Sequence, residues 1–208
     1  MSSFILAGEC CTLTGSRAKA TRRGVVAELT VERGPHKGIA RAEIQRRIRA
    51  MIQLLQLQKM EVSFLLTDDK RIHELNRDYR HKDKPTDVLA FAMREGEHGE
   101  LAGDVLGDVI VSVPTARRQA EERGATLIDE VTMLVAHGLL HLLGWDHDTP
   151  AKDRRMRAET ERLCAAAAPP VERARRARVA ASASKPRAAK ALSRKPNAAK
   201  PRGPARRP

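Results

Sequence analysis

Aromatic side chains are scarce: one Trp, one Tyr and three Phe among 208 residues. That excludes a stacking platform of the kind RNA-recognition sheets present, so any nucleic acid must be held by charge and shape. Cysteines number three, Cys10, Cys11 and Cys164. Adjacent cysteines rarely bridge each other, and an odd count without regular spacing argues against a disulfide framework. A reducing, cytoplasmic setting is therefore expected. Long apolar runs are missing too: the longest is broken by His137 and His141, so no membrane span is expected. The short apolar patch Phe4–Ala7 lacks the basic lead and long core of a signal peptide.

Charge is abundant but uneven. The formal net charge is +13, and residues 169–208 hold thirteen Lys and Arg against one acid, Glu172. Twelve of the thirteen net charges therefore lie in that segment, and the other 168 residues carry +1. The segment is rich in Ala, Lys, Arg and Pro, and its only bulky apolar residues are Val171, Val179 and Leu192. It cannot bury enough surface to offset the entropy of ordering, so a disordered tail is expected. Two roles stand side by side: nonspecific attachment to RNA or another polyanion by phosphate neutralisation, and a merely solvated tail.

The periodicity of the rest describes one domain over 25–168, preceded by a loose basic lead-in over 1–24. Val25–Val31 reads as a strand. Ile44, Ile48, Ile52 and Leu55 predict a helix over 40–57. Val62–Leu66 is a second strand, and Asp68 or Asp69 can cap a helix whose apolar face is Ile72, Leu75 and Tyr79. Tyr79–Thr86 has loop chemistry, and strands follow at Asp87–Phe91 and Asp108–Ser112, joined by an acidic loop. Pro114 opens a helix that Gly124 closes. Asp129 and Glu130 suit the positive end of the next helix, whose interior Val131–Leu143 is apolar almost all round and so must be buried. Thr149 and Pro150 begin a last helix to about Ala166. The pattern is an α+β domain with a small sheet around one buried helix.

That buried helix carries the chemistry. In His137-Gly-Leu-Leu-His141-Leu-Leu-Gly-Trp-Asp-His147 the first two histidines are four apart and share a helix face. Gly144 supplies a left-handed stop, and a tight turn can return His147 toward the pair. Three imidazoles with a fourth position open are the ligand set of a catalytic rather than a structural zinc. The plainer alternative, three core histidines bonded to backbone, needs a separate partner for each buried ring. The spacing is that of metzincin proteases, where Glu follows the first His as general base. Here that position is Gly138, which cannot accept a proton, so a metal site is expected and peptidase activity is not.

At this point the chain resembles the YbeY endoribonuclease family. The resemblance rests on the histidine string, on Leu75–Phe91 with its Tyr-Arg-His-Lys-Asp-Lys-Pro-Thr-Asp run, and on Leu106–Ser112, in the family's order. It spans roughly Val26 to Ala166, with Ala90 and Ala92 departing from the usual Ser and Pro. It implies a zincin-like fold with a small mixed sheet and one buried metal-bearing helix. One Zn2+ per chain would be held by His137, His141 and His147. The implied activity is hydrolytic cleavage of single-stranded RNA in ribosomal-RNA maturation at the small-subunit 3′ end and in ribosome quality control. The small ribosomal subunit and its associated proteins are the implied partners. Arg80 matches a functional arginine facing the metal cleft, where a guanidinium can grip phosphate oxygens and stabilise developing charge.

Around this set several roles stay open. Lys82 and Lys84 can add phosphate contacts or be merely solvated. Asp146 and Asp148 flank the third histidine: Asp146 can orient an imidazole or cap the turn, and Asp148 can orient an imidazole or be a merely solvated turn acid. Trp145 can stack on a base or pack in the core. Two rival functions remain: a noncatalytic ribosome-assembly factor with a structural zinc, and a metal hydrolase of another substrate.

Overall fold

The computed structural model describes residues 5–6, 27–34, 36–95 and 102–169. The expected lead-in over 1–24, Ile5–Leu6 apart, and the expected tail from residue 170 on lie outside them. In chain order the elements are β1 (Ile5–Leu6), β2 (Ala27–Val31), α1 (Arg41–Leu54), β3 (Glu61–Thr67), α2 (Asp69–Arg80), β4 (Val88–Ala92), β5 (Val105–Ser112), α3 (Val113–Arg123), α4 (Leu127–Leu142) and α5 (Pro150–Ala167). Helix ends follow local chemistry. Asp68 accepts from the Arg71 N–H to start α2, and Thr149 accepts from the Lys152 N–H to start α5. The structure ends α1 three residues before the apolar pattern does. Gln56 takes a left-handed φ of 57°, and the Leu57 N–H closes on the Ile52 carbonyl.

The sheet order is β1-β4-β5-β3-β2, and β4–β5 is its antiparallel pair, so the sheet is mixed as expected. Side chains alternate across the central strands and divide the core in two. Val62, Phe64 and Leu66 of β3 with Val109 and Val111 of β5 face α1, α4 and α5. Leu65 of β3, Leu89 of β4 and Ile110 of β5 face Ile72 and Leu75 of α2 on the other side. A strand covered on both faces reads as a continuous apolar run, which is how β3 and β5 look in sequence. Among the described residues no single helix is long and apolar enough to cross a membrane.

The buried helix is α4: Val135, Leu139 and Leu140 are each at most 1% exposed. Burial of each such side chain contributes roughly 1.5–3 kcal/mol. Its approach to the sheet depends on Gly138. A Cβ there would stand 2.6 Å from Val109 Cγ1 and 3.3 Å from Val88 Cγ2. Ion pairs fix its start. Arg47 on α1, with only 7% of its side chain exposed, donates to Glu43 at 2.9 Å and to Asp129 at 2.8 Å. Glu130 is buried and accepts from Arg123 of α3 at 2.7 Å. The two acids therefore do more than complement the helix dipole: they tie α4 to both neighbouring helices.

Two outcomes follow. Gly138→Ala forces α4 off the sheet and should cost about 1–3 kcal/mol in urea unfolding, despite the better helix propensity of Ala. Glu43 has its carboxyl held at about 2, chiefly by hydrogen bonds from Arg46 against the opposing effect of burial, with Arg47 adding to the lowering. A depressed folded-state value gives stability that is present above the unfolded value and lost as pH falls through the folded one. Glu43→Gln should thus be about 1–2 kcal/mol less stable than the parent at neutral pH. The gap should close between about pH 4.5 and pH 2.

Candidate metal centre and adjoining cleft

Helix α4 starts at Thr126, whose hydroxyl accepts from the Asp129 N–H at 3.1 Å, and ends in a left-handed turn at Gly144 (φ 76°). The Trp145 N–H bonds the Leu140 carbonyl at 3.0 Å and the Gly144 N–H bonds that of His141 at 2.9 Å. This six-residue closure reverses the chain. It returns His147 to within 5.7 Å, ring to ring, of His137 and 5.3 Å of His141. The His137 and His141 rings are 4.7 Å apart and nearly perpendicular. One ligand nitrogen from each histidine lies within 4.8 Å of the others.

Several observations fit this trio to a metal ion. The Nε2 atoms of His137 and His141 are 3.2 Å apart, and two nitrogens about 2.0–2.1 Å from one tetrahedral zinc stand about 3.3 Å apart. His141 is 1% exposed, so its ring is held out of water. Burial, before any other cause, lowers both rings to about 4. At neutral pH each therefore keeps a lone pair available. The group could hold a metal ion, with three protein ligands and further positions for water or substrate.

Asp146 faces the turn itself. Its carboxylate accepts from the His147 backbone N–H at 2.6 Å and pairs with Lys152 at 3.6 Å, while Asp148 pairs with Lys152 at 2.8 Å. Trp145 packs part-buried against the main core, and the Arg155 guanidinium lies 4.9 Å from its ring centre.

The basic residues gather in a second place. Arg80 is the last residue of α2, and His81 after it is left-handed (φ 54°), its N–H bonding the Arg77 carbonyl at 3.0 Å. The chain then turns back, held by Asn76 Nδ2 donating to the Lys84 carbonyl at 2.7 Å and by His73 against Asp83 at 2.7 Å. Arg80, Lys82 and Lys84 line one cleft of about 610 Å³. Burial lowers the Arg80 value; Lys82 is lowered by desolvation and then by the like charges of Arg80 and Lys84. The three cations share the cleft with the carboxylates of Asp83 and Asp87, and a wall with this excess of positive charge can take an anion with several oxygens. Asp78 and Asp83, the acids nearest Arg80 in sequence, pair with Arg77 and His73.

The histidines are not among the residues lining this cleft. Asp87 joins the two places: it lines the cleft, and its charge reaches His137, opposing the effect of burial there. Its Oδ1 accepts from the Val88 N–H at 2.9 Å and the Thr86 hydroxyl at 3.1 Å, and its Oδ2 from Gln119 at 3.0 Å. Periodicity reads Asp87 only as the start of a strand. The Thr-Asp pair before that strand was the one signal that its carboxylate could be fixed locally.

The family described as Endoribonuclease YbeY matches residues 31–168. An endoribonuclease YbeY of Heliobacterium modesticaldum is 49% identical over 115 residues, covering 51% of this chain and 69% of that one. That of Aquifex aeolicus is 43% identical over 124 residues, covering 59% and 80%. A Thermotoga maritima protein solved in solution superposes with a TM-score of 0.50 at 25% identity, covering 68% of this chain and 88% of its own.

The left-handed residue beside Arg80 yields a stability test. His81 holds a conformation that costs a side-chain-bearing residue about 1 kcal/mol relative to Gly. His81→Gly should raise stability by about that amount in thermal or urea unfolding, with the capping hydrogen bond kept.

Proposed function

The chain belongs to the YbeY endoribonuclease family, and on that premise we propose that it is a zinc-dependent endoribonuclease specific for single-stranded RNA. Its substrate is ribosomal RNA, at the small-subunit 3′ end during maturation and in ribosome quality control, with the small subunit and its associated proteins as partners. The observation that carries the reading is the pairing of a three-histidine cluster with a three-cation cleft, joined at Asp87. A peptide substrate would need neither Lys82 nor Lys84, and its general base has no place. The position after His137 is packed on Val109 and Val88, where a Glu side chain does not fit.

His137, His141 and His147 would hold the zinc. When bound, it supplies a Lewis acid for a phosphoryl oxygen and lowers the pKa of its water. The chain's own residues do the rest. Burial keeps His137 and His141 neutral, so no proton competes for their lone pairs at neutral pH. Arg80 takes the nonbridging oxygens of the scissile phosphate through two parallel N–H donors and neutralises charge that grows on them. Lys82 and Lys84 contact neighbouring phosphates and set the path of the strand. Asp146 caps the turn that carries His147. The basic segment 169–208 adds sequence-independent affinity for RNA, and the three cysteines suit work in the cytoplasm.

The deciding experiment compares the zinc-loaded full chain with His141→Ala and Arg80→Ala on single-stranded and duplex RNA. The parent should cut single strands, and His141→Ala should lose zinc and fall to background. Arg80→Ala should keep its zinc while its rate drops about 10²–10³-fold. Zinc-loaded parent that binds the small subunit but leaves RNA intact would mean a noncatalytic assembly factor. Deleting 169–208 should weaken RNA binding and flatten its salt dependence without changing the site of cleavage.

A further inference from the structure

Two of the three histidines stand on a helix locked in the core, while His147 stands on the connection between α4 and α5. Beyond the hydrogen bonds of its own turn, that connection is held by α5. One ammonium, Lys152 Nζ, lies 2.8 Å from Asp148 Oδ1 and 3.6 Å from Asp146 Oδ2, bridging the residues on either side of His147. One turn further along, Arg155 covers Trp145, two residues before His147, at 4.9 Å. Thr149 links the two parts, accepting from the Lys152 N–H at 3.3 Å. The helix that bears these groups is itself anchored: Met156, Leu163 and Ala167 are at most 1% exposed in the main core.

We propose that Lys152 and Arg155, on the first two turns of α5, are positioning residues for the third metal ligand, so that metal affinity is set partly from α5. The inference rests on the metal reading above. A connecting segment free to move must lose conformational entropy when its histidine is captured. Cross-links that already hold it near the other two rings remove part of that cost before the ion arrives. Both groups are exposed, so each link is weak alone and screened by salt. The expected effects are correspondingly a few-fold each, and removing both leaves the segment with neither link.

The test measures zinc affinity of the full chain by competition with a chromophoric chelator, alongside thermal unfolding of the metal-free protein. Lys152→Ala should weaken zinc binding about fivefold and Arg155→Ala by a similar factor. The double variant should lose more than tenfold, and Lys152→Arg should bind like the parent. Raising the salt should weaken the parent more than Lys152→Ala. The metal-free melting temperature should not move. Equal affinities for parent and double variant would overturn the proposal and leave the metal reading standing. So would an affinity loss matched by a loss of metal-free stability, which would assign the links to the fold. A parent that takes up no zinc would overturn the metal reading and this proposal together.

Discussion

The contact on which the site depends is the seat of α4 on β4 and β5 at Gly138. With no side chain there, the helix backbone sits directly on Val109 and Val88. The residues flanking that seat are then fixed in direction. Successive helix residues turn by about 100°, so His137 and His141 both fall on one flank of the line facing the sheet. They point neither into the strands nor fully to solvent, which is where a metal can be both held and reached. The same contact disposes of peptidase chemistry more firmly than a missing residue does. The position that carries the base in metzincins here faces a packed sheet, so restoring the acid would restore no mechanism.

Much of this was legible in the chain itself, because the informative residues act locally. Helix capping by Asp68, the stop at Gly144 and the return of His147 depend on neighbours a few positions away. So does the apolar circumference that buries α4. Where alternation fails, the reading fails with it. The apolar run starts β5 at Asp108, but the strand begins at Val105. Gly107 enters it at a φ of 142°, beside an irregular register at Glu61 and Val62, and a break in register erases the period of two. The start of α4 is similar. The acids suggest a helix from Asp129, whereas the cap is Thr126 and the first turn includes Leu127 and Ile128.

Long-range pairing is the other part that sequence cannot display. Arg47 lies 82 residues from Asp129, and Asp87 lies 32 residues from Gln119. Each is an ordinary charged residue until the fold brings its partner. Arg47 shows what the difference means physically. A cation on an exposed helix face would be nearly neutral for stability, but one with 7% of its side chain exposed must keep both carboxylates or be left unpaired. Arg80 is a different case. Nothing in its local pattern separates Arg80 from a surface residue, and its weight came from the wider resemblance and then from the cleft it shares with Lys82 and Lys84.

On the proposed reading, the distribution of charge along the chain divides its labour. Residues 1–168 are nearly neutral, and the cleft itself sets Arg80, Lys82 and Lys84 beside Asp83 and Asp87. A diffuse positive surface attracts any polyanion at long range and weakens with salt. A guanidinium part-buried between α2 and the following turn acts over a hydrogen bond's length, on oxygens of defined geometry. On the proposed reading these two kinds of force are assigned to different parts of one chain. Residues 169–208 raise the local concentration of RNA, and the cleft selects the phosphate to be cut. On that reading, basicity placed in the tail can vary in amount without disturbing the cleft.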